Sequence, residues 1–285
     1  MKSPLTVPPA SADGFRRLVQ QRLDQHRPTP FAFRTDGDLK GISAVLFLLG
    51  SGPGGEPTLI LNKRSPHVRQ GGDLCCPGGG ISPVLDGLIA RALALPGTPL
   101  SRWSRWAWWR RHRRTDSLKL RLLLAAALRE SLEEMRLNPL GVTFLGPMPV
   151  QHLVMFERAI YPMVGWVNRQ RRFFPNWEVE KIVSIPIEAL LDPGNYARYR
   201  ISFKTGTRGV PALPPRDMPC FVFRHKAEVE LLWGATFRMV AAFLKEIAGH
   251  QPPPLATLPV IQRRLGRRYL KGTPKQATAP PISSS

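Results

Sequence analysis

The segment that most constrains the fold of this chain is residues 118–137, a run of Leu, Ala, Arg and Glu that predicts a long helix. Each residue of a helix advances by about 100°. Glu130, Glu133 and Glu134 therefore project from one side of this helix. The opposite side carries apolar residues, namely Leu124, Leu128, Leu132 and Met135. The spacing predicts a helix that packs on a core through one face and presents three crowded carboxylates on the other.

These three carboxylates are notable because acidic residues are scarce in the chain. Lys and Arg outnumber Asp and Glu by 41 to 20, which gives a formal net charge of +21. That balance favours anionic partners, such as a phosphorylated metabolite, nucleic acid or an acidic membrane surface. Clustered carboxylate oxygens are the ligands that Mg²⁺ or Mn²⁺ prefers. The alternative is an ordinary solvated polar face, since Glu is common on helix surfaces.

A glycine-rich turn upstream favours the metal interpretation. Pro77 is followed by Gly78, Gly79 and Gly80, and the acidic Asp86 comes shortly after. Glycine lets the backbone approach a ligand closely and adopt positive φ. A turn of this kind beside the carboxylate helix can supply carbonyl and N–H groups to the same metal and phosphate assembly.

Together these residues resemble the signature of the Nudix hydrolase family. That signature runs Gly, five residues, Glu, seven residues, and then Arg-Glu-U-x-Glu-Glu-x-Gly-U, where U is bulky and apolar. Gly80 matches its first position, and Asp86 stands in place of the first Glu. The second half is matched by Arg129, Glu130, Glu133, Glu134 and Leu137.

The resemblance implies a role for each residue of the signature. Glu130, Glu133 and Glu134 would bind Mg²⁺ or Mn²⁺, and the Gly79 carbonyl is a further candidate ligand. Arg129 would orient a glutamate through a salt bridge. A bound metal of this kind neutralises phosphate oxygens and lowers the pKa of a coordinated water.

The carboxylate that takes the proton from this water has two candidates. Glu133 is a reasonable base within the signature. Glu178, in the loop 176–181, is the competing candidate, and its alternative role is that of an ordinary glutamate at a strand edge. The sequence leaves this choice open.

Residues upstream of the glycine turn are candidates for holding the substrate. Lys63, Arg64 and Arg69 could bind its phosphates, because guanidinium groups match phosphate geometry. In a chain this basic, any single Arg can equally be a solvated surface residue. Gly78 and Gly80 would line the substrate with their backbone.

The chain departs from the family signature at three positions. Between Asp86 and Arg129 there are 42 residues where the family has seven. Arg136 replaces the glycine that follows the two glutamates; if the position needs positive φ, the cost is about 1 kcal/mol. The dipeptide Asn138-Pro139 could instead move the end of the helix. Ser131 occupies a position where a bulky residue is usual.

Outside the signature, residues 63–72, 176–179 and 232–236 resemble the coenzyme A diphosphatase-like branch of the family. This resemblance implies an enzyme that hydrolyses a diphosphate linkage in coenzyme A or a derivative. ADP-ribose, NADH or another nucleoside diphosphate derivative is an alternative substrate. A hypothesis of another class is a non-catalytic Nudix-fold module that binds nucleic acid or an anionic membrane.

The segment at about 87–119 is interpreted as an insertion in the signature. Within it, residues 102–114 interleave four tryptophans with six arginines. Such a segment can lie on an anionic membrane, stack on single-stranded nucleic acid, or close over a substrate as a lid. The simplest alternative is a loop whose tryptophans pack on the domain.

The mixture of strands and helices, without regular βαβ alternation, predicts the α+β class. The family resemblance implies an α/β/α sandwich, the Nudix fold, with a mixed β-sheet between helices. We expect a flexible arm over 1–11, one domain over 12–250, and a disordered tail over 251–285 that is basic and rich in Pro. The oligomeric state is not predicted.

Three cysteines cannot form a disulfide framework, and none has zinc-ligand spacing with a histidine. The sequence shows neither the apolar core of a signal peptide nor an apolar run of about 18 residues that could span a bilayer. We therefore expect a soluble, cytoplasmic protein.

Overall fold

The computed structural model of the chain describes residues 8–25, 30–35, 37, 39–153, 158–203, 216–266 and 269. The helices in this part are α1 Ala12–Gln25, α2 Pro83–Ala92, α3 Trp106–His112, α4 Arg114–Met135, α5 Ile187–Leu191 and α6 Gly234–Ala248. The strands are β1 Ile42–Ser51, β2 Pro57–Arg64, β3 Leu74–Cys75, β4 Gly78–Gly80, β5 Val142–Pro147, β6 Gln151–Leu153, β7 Arg158–Val167, β8 Val179–Pro186, β9 Tyr196–Phe203, β10 Arg216–His225, β11 Glu228–Trp233 and β12 Val260–Leu265.

The larger sheet is mixed and is built around β1. Within the described residues it has eight strands, of which β3-β2-β1-β7-β5 form the main order, while β4 pairs with β1, β6 with β7 and β8 with β2. The pair β1–β7 is parallel and the other pairs are antiparallel. The glycine-rich segment 51–55 predicts a hairpin, and it joins the antiparallel strands β1 and β2.

Alternating side chains of β1 face two separate cores. Val45, Phe47 and Leu49 pack with helices α1 and α6 on one side of the sheet. Ala44, Leu46 and Leu48 pack with α2, α3 and α4 on the other side. Because a strand buried on both faces needs cover on each, the result is the predicted α+β sandwich with a mixed sheet between helices.

A smaller sheet with the order β11-β10-β9-β12 lies beside this sandwich within the described residues. The sequence predicts strands over 196–203, 220–223 and 228–233, and β9 and β11 have the first and last of these bounds. The strand β10 extends beyond the predicted 220–223 at both ends. The sequence predicts a closing helix over 235–248, and α6 begins one residue earlier, at Gly234.

The insertion is folded onto the domain. It contains the later part of α2, all of α3 and the start of α4, which begins at Arg114 and not at the predicted 118. Trp103, Trp106 and Trp109 are buried, and Trp108 alone of the four in this segment is exposed. The packed interpretation therefore accounts for three of the four tryptophans.

Helix α4 is enclosed on all sides through its middle. Every residue from 122 to 128 is buried, because α2 and α3 cover the side that β1 and β4 leave open. The predicted division into an apolar face and an open acidic face is wrong in two respects. Leu132, placed on the apolar face, is exposed, whereas Glu134, placed on the acidic face, is buried.

The predicted disorder after residue 250 is also wrong in part. A 3-10 turn, Leu255–Thr257, precedes β12, which pairs in parallel with β9. The Tyr269 hydroxyl donates to Asp73 at 2.6 Å, and the Gln70 N–H donates to the Tyr269 carbonyl at 2.7 Å. Tyr269 thus anchors this part of the chain to the loop that precedes β3. Residues 1–7 and 270–285 lie outside the described residues.

Among helices in the described part of the chain, none combines the length and apolar character that crossing a bilayer requires.

Arg136 ends α4 in the left-handed conformation, with φ of +55° and ψ of +35°. It occupies the position where the resemblance expects glycine, and Asn138-Pro139 does not move the helix end. We expect Arg136→Gly to raise the free energy of unfolding by up to about 1 kcal/mol, because glycine adopts this conformation without steric cost. Urea denaturation measures the change. Arg136→Ala removes the side chain and keeps the strain, so an equal gain from Ala would contradict this explanation.

Candidate active site

The predicted glycine turn is a short strand, β4, that the sequence analysis missed. Gly78, Gly79 and Gly80 pair with Val45, Ala44 and Ser43 of β1. Gly78 has a φ of +146°, and a Cβ there would overlap the Ala44 carbonyl oxygen. Only glycine fits this close approach of two backbones.

The next glycine makes room for a carboxylate. A Cβ on Gly79 would lie 2.6 Å from Cδ of Glu130, a contact that real side chains do not make. The Glu130 carboxylate therefore occupies the space that a side chain at 79 would fill. Burial raises its pKa, and the neighbouring Arg129 partly offsets this rise. The glycine strand and the carboxylate helix are in direct contact.

Glu134 is held inside the domain between β2 and β4. Its Oε2 accepts a hydrogen bond from Asn62 Nδ2 at 2.9 Å and from the Gly78 N–H at 3.1 Å. Burial raises the pKa of Glu134 to about 8, against the lowering effect of the Gly78 hydrogen bond, and the Glu130 charge raises it further. Removing a carboxylate from water disfavours its charged form.

Asn62 is a site residue that the sequence analysis missed. The side chain is fully buried in β2. Its Oδ1 has no hydrogen-bond partner among the described residues. The available signal was a polar residue in the middle of a buried strand, since such groups require a specific partner.

Arg129 joins α2, β4 and two carboxylates of α4. Its Nε lies 2.7 Å from Asp86 Oδ1, and its Nη2 lies 3.2 Å from Asp86 Oδ2 and 3.1 Å from the Gly80 carbonyl. Its Nη1 lies 3.0 Å from Glu130 Oε1 and 3.2 Å from Glu133 Oε2. These partners, led by the Asp86 hydrogen bond, raise the pKa of Arg129. The orienting role of Arg129 stays a prediction.

The two candidate bases lie in different surroundings. The Glu133 side chain is 51% exposed and contacts Arg129. Glu178 belongs to a loop that caps the end of α4: the Asn176 N–H donates to the Glu134 carbonyl at 2.8 Å, and the Phe174 N–H donates to the Met135 carbonyl at 3.0 Å. The Glu178 charge also contributes to the raised pKa of Glu134. The loop thus places Glu178 near the buried carboxylate.

The three predicted phosphate-binding residues, Lys63, Arg64 and Arg69, have different surroundings in the structure. Lys63 Nζ lies 3.1 Å from Glu230 and 3.3 Å from Glu180, so it is engaged in ion pairs away from the carboxylate helix. Arg64 acts on the site, since its charge lowers the pKa of Glu134. Arg64 Nε donates to the Arg69 carbonyl at 2.8 Å. Arg69 therefore contributes backbone to this arrangement, and its side chain is exposed.

Within the described residues, no three or more His, Cys, Asp and Glu side chains converge as a ready metal centre. Arg129 Nη1 pairs with both Glu130 and Glu133, at 3.0 Å and 3.2 Å.

Comparisons with known proteins give weak likenesses only. No family model matches the chain, and no curated protein matches it. The Nudix hydrolase RenU from M. smegmatis shares 15% identity over 52% of this chain and 71% of that protein, with a TM-score of 0.33. The NUDIX domain of Shewanella oneidensis NrtR, complexed with ADP ribose, shares 15% over 60% of this chain and 84% of that protein, with a TM-score of 0.33. A NUDIX hydrolase from Nitrosomonas europaea has 12% sequence identity over 84% of this chain and 82% of that protein, with a TM-score of 0.34. Likenesses at this level carry no argument about family or substrate, so any functional assignment depends on the site itself.

Proposed function

We propose that the chain is a metal-dependent Nudix-type hydrolase that cleaves the diphosphate linkage of a nucleotide-linked metabolite. The observation that carries this proposal is the fit of the Glu130 carboxylate into the space left by Gly79, with Arg129 joining Gly80 and Asp86 to the same carboxylate. A merely solvated acidic face would need neither the glycine strand nor the buried Asp86.

The donor set fits a hard divalent cation, Mg²⁺ or Mn²⁺. Carboxylate oxygens of Glu130, Glu133 and Glu134 and the Gly79 carbonyl would hold it, and all are oxygen ligands of the kind these ions prefer. When bound, such an ion neutralises phosphate oxygens and lowers the pKa of a coordinated water. Burial raises the pKa of both Glu130 and Glu134, and a bound cation would favour their charged forms.

The side chains around this centre have separate roles in the proposed reaction. Arg64 is the cation that would neutralise a substrate phosphate, and Arg129 keeps the carboxylate helix in register with β4. In the proposed reaction, water attacks one phosphorus, the bridging P–O bond breaks, and the leaving phosphate oxygen retains the bonding electron pair. A carboxylate accepts the proton that the water loses.

We assign this proton acceptor to Glu178 rather than Glu133, because the Glu133 carboxylate is already engaged by Arg129. Glu178→Gln should lower kcat by about 10²-fold or more while the affinity for Mn²⁺ stays unchanged. Glu133→Gln should mainly weaken Mn²⁺ binding. Steady-state kinetics and metal titration of both variants separate these effects. A larger loss of kcat in Glu133→Gln, with normal metal binding, would reverse the assignment.

Coenzyme A or a derivative is the proposed substrate, with ADP-ribose, NADH and dinucleoside polyphosphates as alternatives. The test incubates the purified full chain with each compound and Mg²⁺ or Mn²⁺ and identifies the products. Release of adenosine 3′,5′-bisphosphate from coenzyme A, abolished by EDTA and restored by added metal, is the expected result. Hydrolysis of none of these compounds under any metal condition would overturn the proposed function.

The alternative of a non-catalytic module that stacks on nucleic acid has less support from the structure. Base stacking needs exposed aromatic faces, and Trp103, Trp106 and Trp109 are buried in the domain. The close fit of carboxylates, Arg129 and glycine backbone also has no function in such a module.

A further inference from the structure

Helix α2 has an apolar outward face. Its buried residues are Asp86 and Ala90. Val84, Leu85 and Leu88 are 79%, 46% and 56% exposed. At about 100° per residue, these three side chains lie within one arc opposite the buried side. An ordinary surface helix turns its apolar face inward and its charged face outward.

Other large apolar side chains of the insertion are exposed as well. Leu95, just after α2, is 60% exposed, and in the same insertion Leu118 at the start of α4 and Trp108 on α3 are 45% and 40% exposed. We call these residues and the outward face of α2 the insertion surface. Grouped exposure of large apolar side chains marks interaction sites, whereas single exposed leucines are ordinary.

The insertion surface is strongly basic. Residues 83–121 contain nine Lys and Arg but only two Asp. Both aspartates are already paired, Asp86 with Arg129 at 2.7 Å and Asp116 with Arg113 at 2.6 Å. Exposed arginines of the segment are Arg91, Arg102, Arg110, Arg111 and Arg114. The segment that carries the exposed apolar side chains therefore has a large excess of cations, and its two aspartates are paired.

We propose that the insertion surface docks on an anionic lipid surface. Its leucines would enter the boundary between headgroups and acyl chains, and its arginines would contact lipid phosphates. A second copy of the chain suits this surface poorly, because a symmetric pair would bring like charges together. Nucleic acid would match the charge but would leave Val84, Leu85 and Leu88 without an apolar partner.

The test is sedimentation of the full chain with vesicles of phosphatidylcholine, with or without phosphatidylserine. We expect binding that depends on phosphatidylserine. Leu85→Glu/Leu88→Glu should lower the partition coefficient at least about tenfold, because two inserted side chains are lost. Arg91→Gln/Arg111→Gln should lower it several-fold and weaken its dependence on salt.

The matched control is Val229→Glu/Val260→Glu, which changes the net charge equally at residues of the smaller sheet that are 59% and 39% exposed, outside the insertion surface. Its vesicle binding should stay close to that of the unmodified chain. Equal losses of vesicle binding in Leu85→Glu/Leu88→Glu and in the control variant would overturn the proposal. Unchanged binding of Leu85→Glu/Leu88→Glu would also overturn it. The proposal would also be overturned if the unmodified chain formed a dimer in sedimentation velocity and Leu85→Glu/Leu88→Glu abolished it. Capture of single-stranded RNA without vesicle binding would overturn it as well. The readout is binding, so it is independent of the proposed hydrolysis.

Discussion

Arg129→Met should lower the free energy of unfolding by about 3–5 kcal/mol. Asp86 is fully buried, and Arg129 is the cation that pairs with both of its oxygens. Without it, the carboxylate keeps the hydrogen bond from the Ser82 N–H at 2.6 Å but no compensating charge. Urea denaturation at pH 7, followed by circular dichroism, measures the loss.

A double-mutant cycle shows whether the loss comes from this pair. Arg129→Met/Asp86→Asn should cost at least about 1 kcal/mol less than the sum of the two single variants, because the unpaired charge is removed. Arg200 provides the matched control, since it contacts Asp217 at 2.7 and 2.8 Å in the same paired geometry on the surface. Arg200→Met should change stability little. Additive losses at Arg129 and Asp86 would contradict the explanation.

Glu134→Gln should have opposite effects on activity and on the stability of the metal-free protein. Hydrolysis should fall by about 10²-fold or more, because a metal ligand is lost. Stability at pH 8.5 in EDTA should rise, because the buried charge is removed. Glu188→Gln, on an exposed side chain of α5, is the control for a Glu-to-Gln change and should alter neither quantity.

The raised pKa of Glu134 determines how the stability of the metal-free protein changes with pH. Folding raises the pKa of Glu134 from 4.5 to about 8, so the folded metal-free protein favours the protonated form. The stabilising contribution is complete below the unfolded pKa and is lost as the pH rises through about 8, with a slope of at most about 1.4 kcal/mol per pH unit. Glu134→Gln should flatten this dependence. Parallel stability curves for the two proteins between pH 5 and 9 would show that Glu134 is not the group responsible.

The strands were predicted well where their pattern reports burial. β9 has the expected bounds, and Ala197, Tyr199 and Ile201 are buried at every second position, as in a strand with one covered face. β11 also has the expected bounds, although it buries Glu230 and exposes Val229. β4 was missed because three glycines have no strand propensity of their own. Its pairing with β1 depends on a close backbone contact, which a sequence does not display.

The site was predicted in its residues better than in its arrangement. Glu130, Glu133, Glu134 and Arg129 lie together around one end of α4, as the spacing indicated. The burial of Glu134 was not foreseen, because it depends on Asn62 from a distant strand and on the backbone of Gly78 in β4. Helical periodicity identifies which residues share a side, but tertiary packing decides which side faces water.

Helix α2 connects the candidate active site on its inner face with the insertion surface on its outer face. This ten-residue helix carries Asp86 on its inner side and the exposed leucines on its outer side, so a single rigid element touches both Arg129 and the proposed lipid surface. Events at the two surfaces would be thermodynamically linked, and linkage between two binding equilibria is reciprocal. Any lipid that shifts the position of α2 and thereby strengthens ligand binding at the carboxylates would itself be bound more tightly, by the same factor, when that ligand is present.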